Sequence, residues 1–101
     1  MSDVASFRVP LCIAPSHPSL PGHFPGQPVV PGVVILDAVQ QAIEAAVGAL
    51  PALDLPQVKF TQPLLPGEAA EIHVESPAPG RWRFRVSREN ALLASGEIRA
   101  R

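Results

Sequence analysis

Two periods of apolar recurrence divide the chain. Over residues 33–49, VVILDAVQQAIEAAVGA, the polar side chains Asp37, Gln40, Gln41 and Glu44 fall within about a 100° arc of a helical projection, and the other positions are apolar or small. Pro31 and Gly32 stand at the start of this stretch and Pro51 beyond its end, so one helix is predicted there. An ordinary surface helix has the opposite balance, a narrow apolar stripe on a polar cylinder. A helix apolar around most of its girth needs a concave sheet wrapped around it or cover from another subunit.

Beyond residue 57 the period is two. Residues 57–62 read as a short strand ended by Pro63, with a turn at Pro66 and Gly67. Over 68–76, Ala70, Ile72 and Val74 alternate with Glu71, His73 and Glu75. After a turn at 77–80, residues 81–88 place Trp82, Phe84 and Val86 inward, and 91–100 form the last strand. Ahead of the helix, 7–14 reads as an edge strand, because Pro10 lacks the N–H that a central ladder uses.

Registers follow from these alternations. Setting Glu75 opposite Arg81 makes His73 face Arg83 and Glu71 face Arg85. A tight turn around Asn90 sets Val86 opposite Ala94, Phe84 opposite Gly96 and Trp82 opposite Ile98. The expected fold class is α+β, a single domain over 1–101 in which a curved antiparallel sheet of about five strands wraps a long central helix. A flatter two-layer sandwich is the structural alternative, and it leaves much of the helix uncovered.

Composition narrows the function classes. The chain has 101 residues, 47% of them hydrophobic, which suits one small core. Its net charge of -1 gives nucleic acid no overall attraction. Residues 1–55 carry one basic and four acidic side chains, residues 56–101 seven basic and five acidic, so only the second half could attract an acidic partner. Cys12 is the single cysteine, which excludes an intrachain disulfide and fits a reducing compartment; its expected role is a small apolar filler. Seven prolines interrupt the uncharged run over 9–36 too often for a membrane helix, and no basic stretch leads an apolar segment at the start. A cytoplasmic location is the expectation.

The densest chemistry lies over 17–43, HPSLPGHFPGQPVVPGVVILDAVQQAI. Residues 15–31 form a connection long enough to suggest a functional loop, and its prolines and glycines could hold His23 in place. Gly32 opens the helix, where free N–H groups and the helix dipole favour developing negative charge. Asp37 follows on the polar arc. A base, an anion-stabilising amide and a carboxyl group suit removal of a proton next to a thioester carbonyl and departure of a hydroxyl from the next carbon. The carboxyl must then carry a proton, a form that apolar surroundings favour.

Each residue also has a plainer use. His23 alone could be a loop histidine bonded to a carbonyl, Asp37 part of a solvated face, and Gly32 a site of close packing. His17 and His73 read as structural or exposed. No histidine, cysteine and carboxylate spacing resembles a zinc site.

The run HFPGQPVVPGVVILDAVQQ, residues 23–41, resembles the beta-hydroxyacyl-acyl-carrier-protein dehydratases of fatty acid synthesis. The histidine, two Pro-Gly elements, an acid fourteen positions later and a following glutamine keep that family's spacing. VKFTQPLLPGE, residues 58–68, is similar to the strand and turn after its central helix. The resemblance implies a hotdog fold, usually a dimer whose sheets join, with each site taking its histidine from one subunit and its acid from the other. Carried over, it makes His23 the base, Asp37 of a neighbouring subunit the acid, the Gly32 amide the thioester-oxygen donor and Gln41 the residue that orients the acid.

Phe24, Val33 and Leu36 would line the acyl tunnel. No redox cofactor or metal is implied; the substrate would ride on the phosphopantetheine of an acyl carrier protein or on CoA. Carriers are acidic, so Arg81, Arg83, Arg85 and Arg88 are candidates for contacting one, although a solvated sheet face explains them as well. A homodimer or dimer-based oligomer, with hetero-assembly as a variant, is the expected state. Two departures matter. Short members usually have glutamate where this chain has Asp37, and they carry more sequence ahead of the motif, so the expectation is a trimmed edge, an altered tunnel entrance or a specialised substrate, as in polyketide or aryl polyene synthesis. A hotdog acyl-thioesterase and a non-catalytic acyl-thioester-binding subunit are the rival functions.

Overall fold

In a computed structural model, residues 5–14, 29–49 and 52–100 are described. The elements run β1 (Ala5–Leu11), α1 (Gly32–Val47), β2 (Leu53–Phe60), β3 (Ala70–Ala78), β4 (Arg81–Arg88) and β5 (Ala91–Ala100). The strands form one antiparallel sheet in the order β1-β3-β4-β5-β2. It curves over α1, and the inward side chains of both make a single core. Pro10 lies in an edge strand as predicted, and β2 is the other edge. Strand bounds differ from the expected ones mainly at the edges: β1 begins and ends earlier, and β2 begins at Leu53.

Alternation explains the core, except that Leu93 is the extra residue at an irregularity opposite Val86 and Ser87 and joins its neighbour Ala94 there. Ile72 and Val74 of β3, Trp82, Phe84 and Val86 of β4, and Leu93, Ala94 and Ile98 of β5 are all buried on the helix side. From α1 they meet Val34, Ile35, Val39 and Ile43, a stripe at helical spacing. Val39 and Ile43 are fully buried, each contributing about 1.5–3 kcal/mol relative to exposure. The helix ends at Gly48, with φ 97°, whose N–H donates to the Glu44 carbonyl oxygen at 2.8 Å.

Three expectations are corrected. First, the chain's own sheet covers one stripe of α1 rather than most of its girth: Val33 remains 72% exposed and Val47 54%. Second, Cys12 is exposed and is not a core filler, because Leu11 and Ile13 take the inward positions on either side of it. Third, the β3–β4 register is displaced by two residues. Glu75 pairs with Arg83, His73 with Arg85 and Glu71 with Ser87, while Ala78 pairs with Arg81.

The hairpin turns over only Pro79 and Gly80, so that Ala78 already pairs with Arg81, and an irregularity between Glu75 and Ala78 takes back one residue of that advance. Pro77 has no N–H for the ladder, and the Ser76 hydroxyl bridges the gap, donating toward the Ala78 carbonyl at 3.0 Å and the Arg81 carbonyl at 2.9 Å. The β4–β5 register is the predicted one: Val86 faces Ala94, Phe84 faces Gly96 and Trp82 faces Ile98. No helix among the described residues is long and apolar enough to cross a membrane.

Candidate functional site

The site grows from the start of α1. Pro31, at φ -59° and ψ 146°, brings the chain in extended and turns it into the helix, its carbonyl oxygen accepting from Val34 N at 3.0 Å and Ile35 N at 3.4 Å. The N–H groups of Gly32 and Val33 therefore precede the first intrahelical bond. No side chain caps this end and no acid lies in its first turn, so the helix itself supplies no counter-charge to its positive pole.

Segment 61–68 supports this end. Its Thr61 and Gln62 N–H groups donate to the Leu93 carbonyl, which continues the β2 edge into the segment. The fully buried Leu64 packs into the core, and its carbonyl accepts from Val30 N at 2.8 Å, one residue before Pro31. Gly67 N donates to the Ile13 carbonyl at 2.8 Å. A charged clamp closes the turn: Arg88 Nη1 donates to Glu68 Oε1 at 2.8 Å and to the Pro63 carbonyl at 3.1 Å, and the same Glu68 oxygen accepts from Leu65 N at 2.9 Å.

Between this segment and the helix start lies an apolar groove of about 520 Å³, bordered by Val30, Gly32, Val33, Leu36, Phe60 and Leu64. Gly32 is packed closely here. A Cβ at this position would stand 2.8 Å from Phe60 Cζ and 3.1 Å from each Cε, so the bare α-carbon admits the tip of that ring. A second groove, about 420 Å³, lies farther round the helix and is bordered by Val33, Leu36, Asp37, Gln40, Leu53 and Leu55. Val33 and Leu36 line both grooves. Asp37 is exposed, and its Oδ2 accepts a 2.7 Å hydrogen bond from Gln41 Nε2, one helical turn on.

Gly32, Val33 and Leu36 thus meet at one groove, and Asp37, bonded to Gln41, borders the other. Gly32 and Asp37 are five residues apart, which turns them about 140° from each other around the axis. His23 and Phe24 lie outside the described residues. The four arginines separate into two pairs. Arg88 is held in the clamp and Arg81 bonds Glu97 at 3.2 Å. Arg83 and Arg85 stand exposed on the outer sheet face, beside a polar recess of about 290 Å³ that includes Lys59, His73 and Glu75. Among the described residues no group of three or more His, Cys, Asp or Glu could hold a metal ion. Phe60 and the Arg88–Glu68 clamp were not singled out by sequence; the inward phase of Phe60, two positions from Val58, was the available signal.

The chain matches the family model for ApeI-like proteins, described as ApeI dehydratase, over residues 2–97. It is 33% identical over 99 residues to a 3-hydroxyacyl-[acyl-carrier-protein] dehydratase FabZ of Pseudoalteromonas translucida, covering 82% of this chain and 65% of that one. It is 32% identical over 105 residues to the FabZ of Cereibacter sphaeroides, covering 88% and 66%. The chain therefore spans just under two thirds of these relatives' length.

Among solved structures, the dehydratase heterocomplex ApeI:P from Xenorhabdus doucetiae superposes with a TM-score of 0.80 at 26% identity, covering 95% of this chain and 88% of that one. A mutant of the fluoroacetyl-CoA-specific thioesterase FlK, solved with fluoroacetate and CoA, shares the fold with a TM-score of 0.73 at 19% identity, covering 99% and 94%. A single helix against a curved five-stranded antiparallel sheet, matched in this way over nearly its whole length, makes this a hotdog-fold chain that belongs to the ApeI-like dehydratase family.

Proposed function

We propose that the chain dehydrates a 3-hydroxyacyl thioester to the trans-2-enoyl thioester, releasing water, in fatty acid, polyketide or aryl polyene type synthesis. The observation that carries this reading is the division of the site residues. The Gly32 amide and the Asp37 carboxyl of one chain border different grooves, with Val33 and Leu36 between them. A reaction that uses both groups on one short acyl segment draws them from two chains.

In that arrangement His23 removes the C2 proton, and the electron pair moves toward the thioester oxygen, where the Gly32 N–H at the positive end of α1 stabilises the charge. Asp37 of the second chain gives its proton to the C3 hydroxyl as the C–O bond breaks, and the electrons return to form the C2=C3 double bond. Gln41 holds Asp37 Oδ2 through its amide, which leaves the other oxygen to face the substrate. The elimination is redox-neutral, so no redox cofactor enters it, and in this reading His23, Asp37 and the Gly32 amide supply the proton transfers and charge stabilisation without a metal.

The substrate arrives on the phosphopantetheine arm of an acyl carrier protein or on CoA. The relatives' names, which specify acyl carrier protein, favour the carrier. Arg83 and Arg85 are the better carrier contacts of the four arginines, since among the described residues neither has an ion pair. The second chain is another copy or a related subunit; the heterocomplex formed by the ApeI:P neighbour supports the latter as an option. A cytoplasmic location accords with the lone cysteine.

The test is incubation of the full chain with 3-hydroxyacyl and saturated acyl thioesters. Enoyl absorbance from the first supports dehydration, whereas free thiol without enoyl product identifies a thioesterase, and tight binding without turnover a non-catalytic subunit. His23→Ala and Asp37→Asn are each expected to lower kcat by about 10²–10⁴ in a folded assembly. Unchanged turnover in either variant overturns its assigned role.

A further inference from the structure

Phe60 is in an unusual position for an aromatic of this sheet. It pairs with Ala94, which is fully buried, so the alternation of the strands turns Phe60 toward α1. Phe84 is 1% exposed and Trp82 6%, and Phe7 on the edge strand β1 is partly buried, but Phe60 is 52% exposed. An inward-facing ring that remains half uncovered borders a space rather than filling one. That space is the 520 Å³ groove at the helix start.

The ring is also fixed with respect to the proposed chemistry. Its Cζ and both Cε atoms converge on the Gly32 α-carbon, closely enough that any side chain at 32 would displace them. The ring therefore stands tip-first against the residue whose N–H is to meet the thioester oxygen. An acyl chain whose carbonyl reaches that N–H must run its first carbons past the ring, with Leu36 and Leu64 among the other apolar borders.

We propose that Phe60 is a specificity-determining residue: its ring stands across the apolar groove at the start of α1 and fixes the acyl chain length that the groove accepts. This rests on the reading of the groove as an acyl-thioester site. Shortening the side chain opens the groove beside Gly32, and a larger ring narrows it. In an apolar pocket, a methylene that gains or loses its place changes discrimination by about tenfold or more.

The experiment uses the full chain and the variants Phe60→Ala, Phe60→Leu and Phe60→Trp, each checked for folding by circular dichroism. Two readouts are taken over one length series: kcat/KM for 3-hydroxyacyl pantetheine thioesters, and equilibrium binding of unreactive saturated acyl pantetheine thioethers. Phe60→Ala is expected to shift the long-to-short ratio by about tenfold or more toward long chains, Phe60→Leu by less, and Phe60→Trp toward short chains. A uniform loss at all lengths, or an unchanged profile in folded variants, overturns the proposal. Shifted binding without any dehydration leaves the length role standing and removes the dehydratase reading. Dehydration with an unshifted profile removes the length role alone. Absence of both binding and turnover at every length removes both.

Discussion

Along β3, β4 and β5 the inward side chains from Ile72 to Ile98 are closed against α1, with Trp82 the most exposed at 6%, whereas along β2 and the first turn of the helix Val33, Leu55 and Phe60 are 72%, 48% and 52% exposed. Both apolar grooves border that second region. The first region is the part of the core that the chain completes alone. The second holds the apolar girth of α1 that its own sheet leaves bare, and it is where the family resemblance locates a neighbouring subunit. Stability and the proposed chemistry therefore draw on different sides of one helix.

Two glycines give this contrast a measurable form. A Cβ on Gly96 would strike the backbone carbonyl of Gln57, which cannot withdraw without parting β2 from β5, and would press on the Phe84 ring, which is closed into the core. Gly96→Ala is expected to cost about 3 kcal/mol or more in urea unfolding. The clamp at the border between the regions comes next. Arg88 and Glu68 side chains are 27% and 31% exposed, so loss of this charged bond in Arg88→Ala should cost about 1–2 kcal/mol, and the free Glu68 should loosen segment 61–68 to hydrogen exchange.

Gly32→Ala should cost least, under about 1 kcal/mol, because the atoms it meets are the far end of a half-exposed side chain, which shifts a few tenths of an ångström into the groove while the backbone stays in place. Its mark should appear in the groove instead, as an altered acyl-length profile. That alteration should vanish in a Phe60→Ala background, a coupling readable in a double-mutant cycle. If Gly32→Ala proves as costly as Gly96→Ala, the helix start is as closed as the sheet and the contrast fails.

The β4–β5 register was legible because alternation sets Trp82, Phe84 and Val86 against Ile98, Gly96 and Ala94; the turn at Glu89 and Asn90 pairs Arg88 with Ala91, and the extra residue Leu93, at the irregularity between Val86 and Ser87, brings the two registers together. The β3–β4 register was not. A displacement of two residues keeps every side chain on its face, so alternation is blind to it, and the tight turn at Pro79 and Gly80 together with the one-residue irregularity at Ser76 and Pro77 produced a displacement of that size. The girth of α1 showed how much of it is apolar and could not show which neighbour covers it. Within the site, the Asp37–Gln41 bond was legible as a pair one turn apart on a helix. The contact of Phe60 with Gly32 joins the end of a strand to the start of a helix 28 positions earlier, a distance over which periodicity carries no information.

The bonds from Gly67 N to the Ile13 carbonyl and from Val30 N to the Leu64 carbonyl moor both flanks of residues 14–29 to one short turn. For protein engineering this marks a cassette boundary. The stretch containing His23 can be exchanged for that of a relative of different length while its two anchorages stay untouched, since lengthening a connection between fixed ends adds only about 0.6 kcal/mol per doubling. Chimaeras cut at these moorings would recombine the segment of His23 independently of the apolar groove beside Gly32.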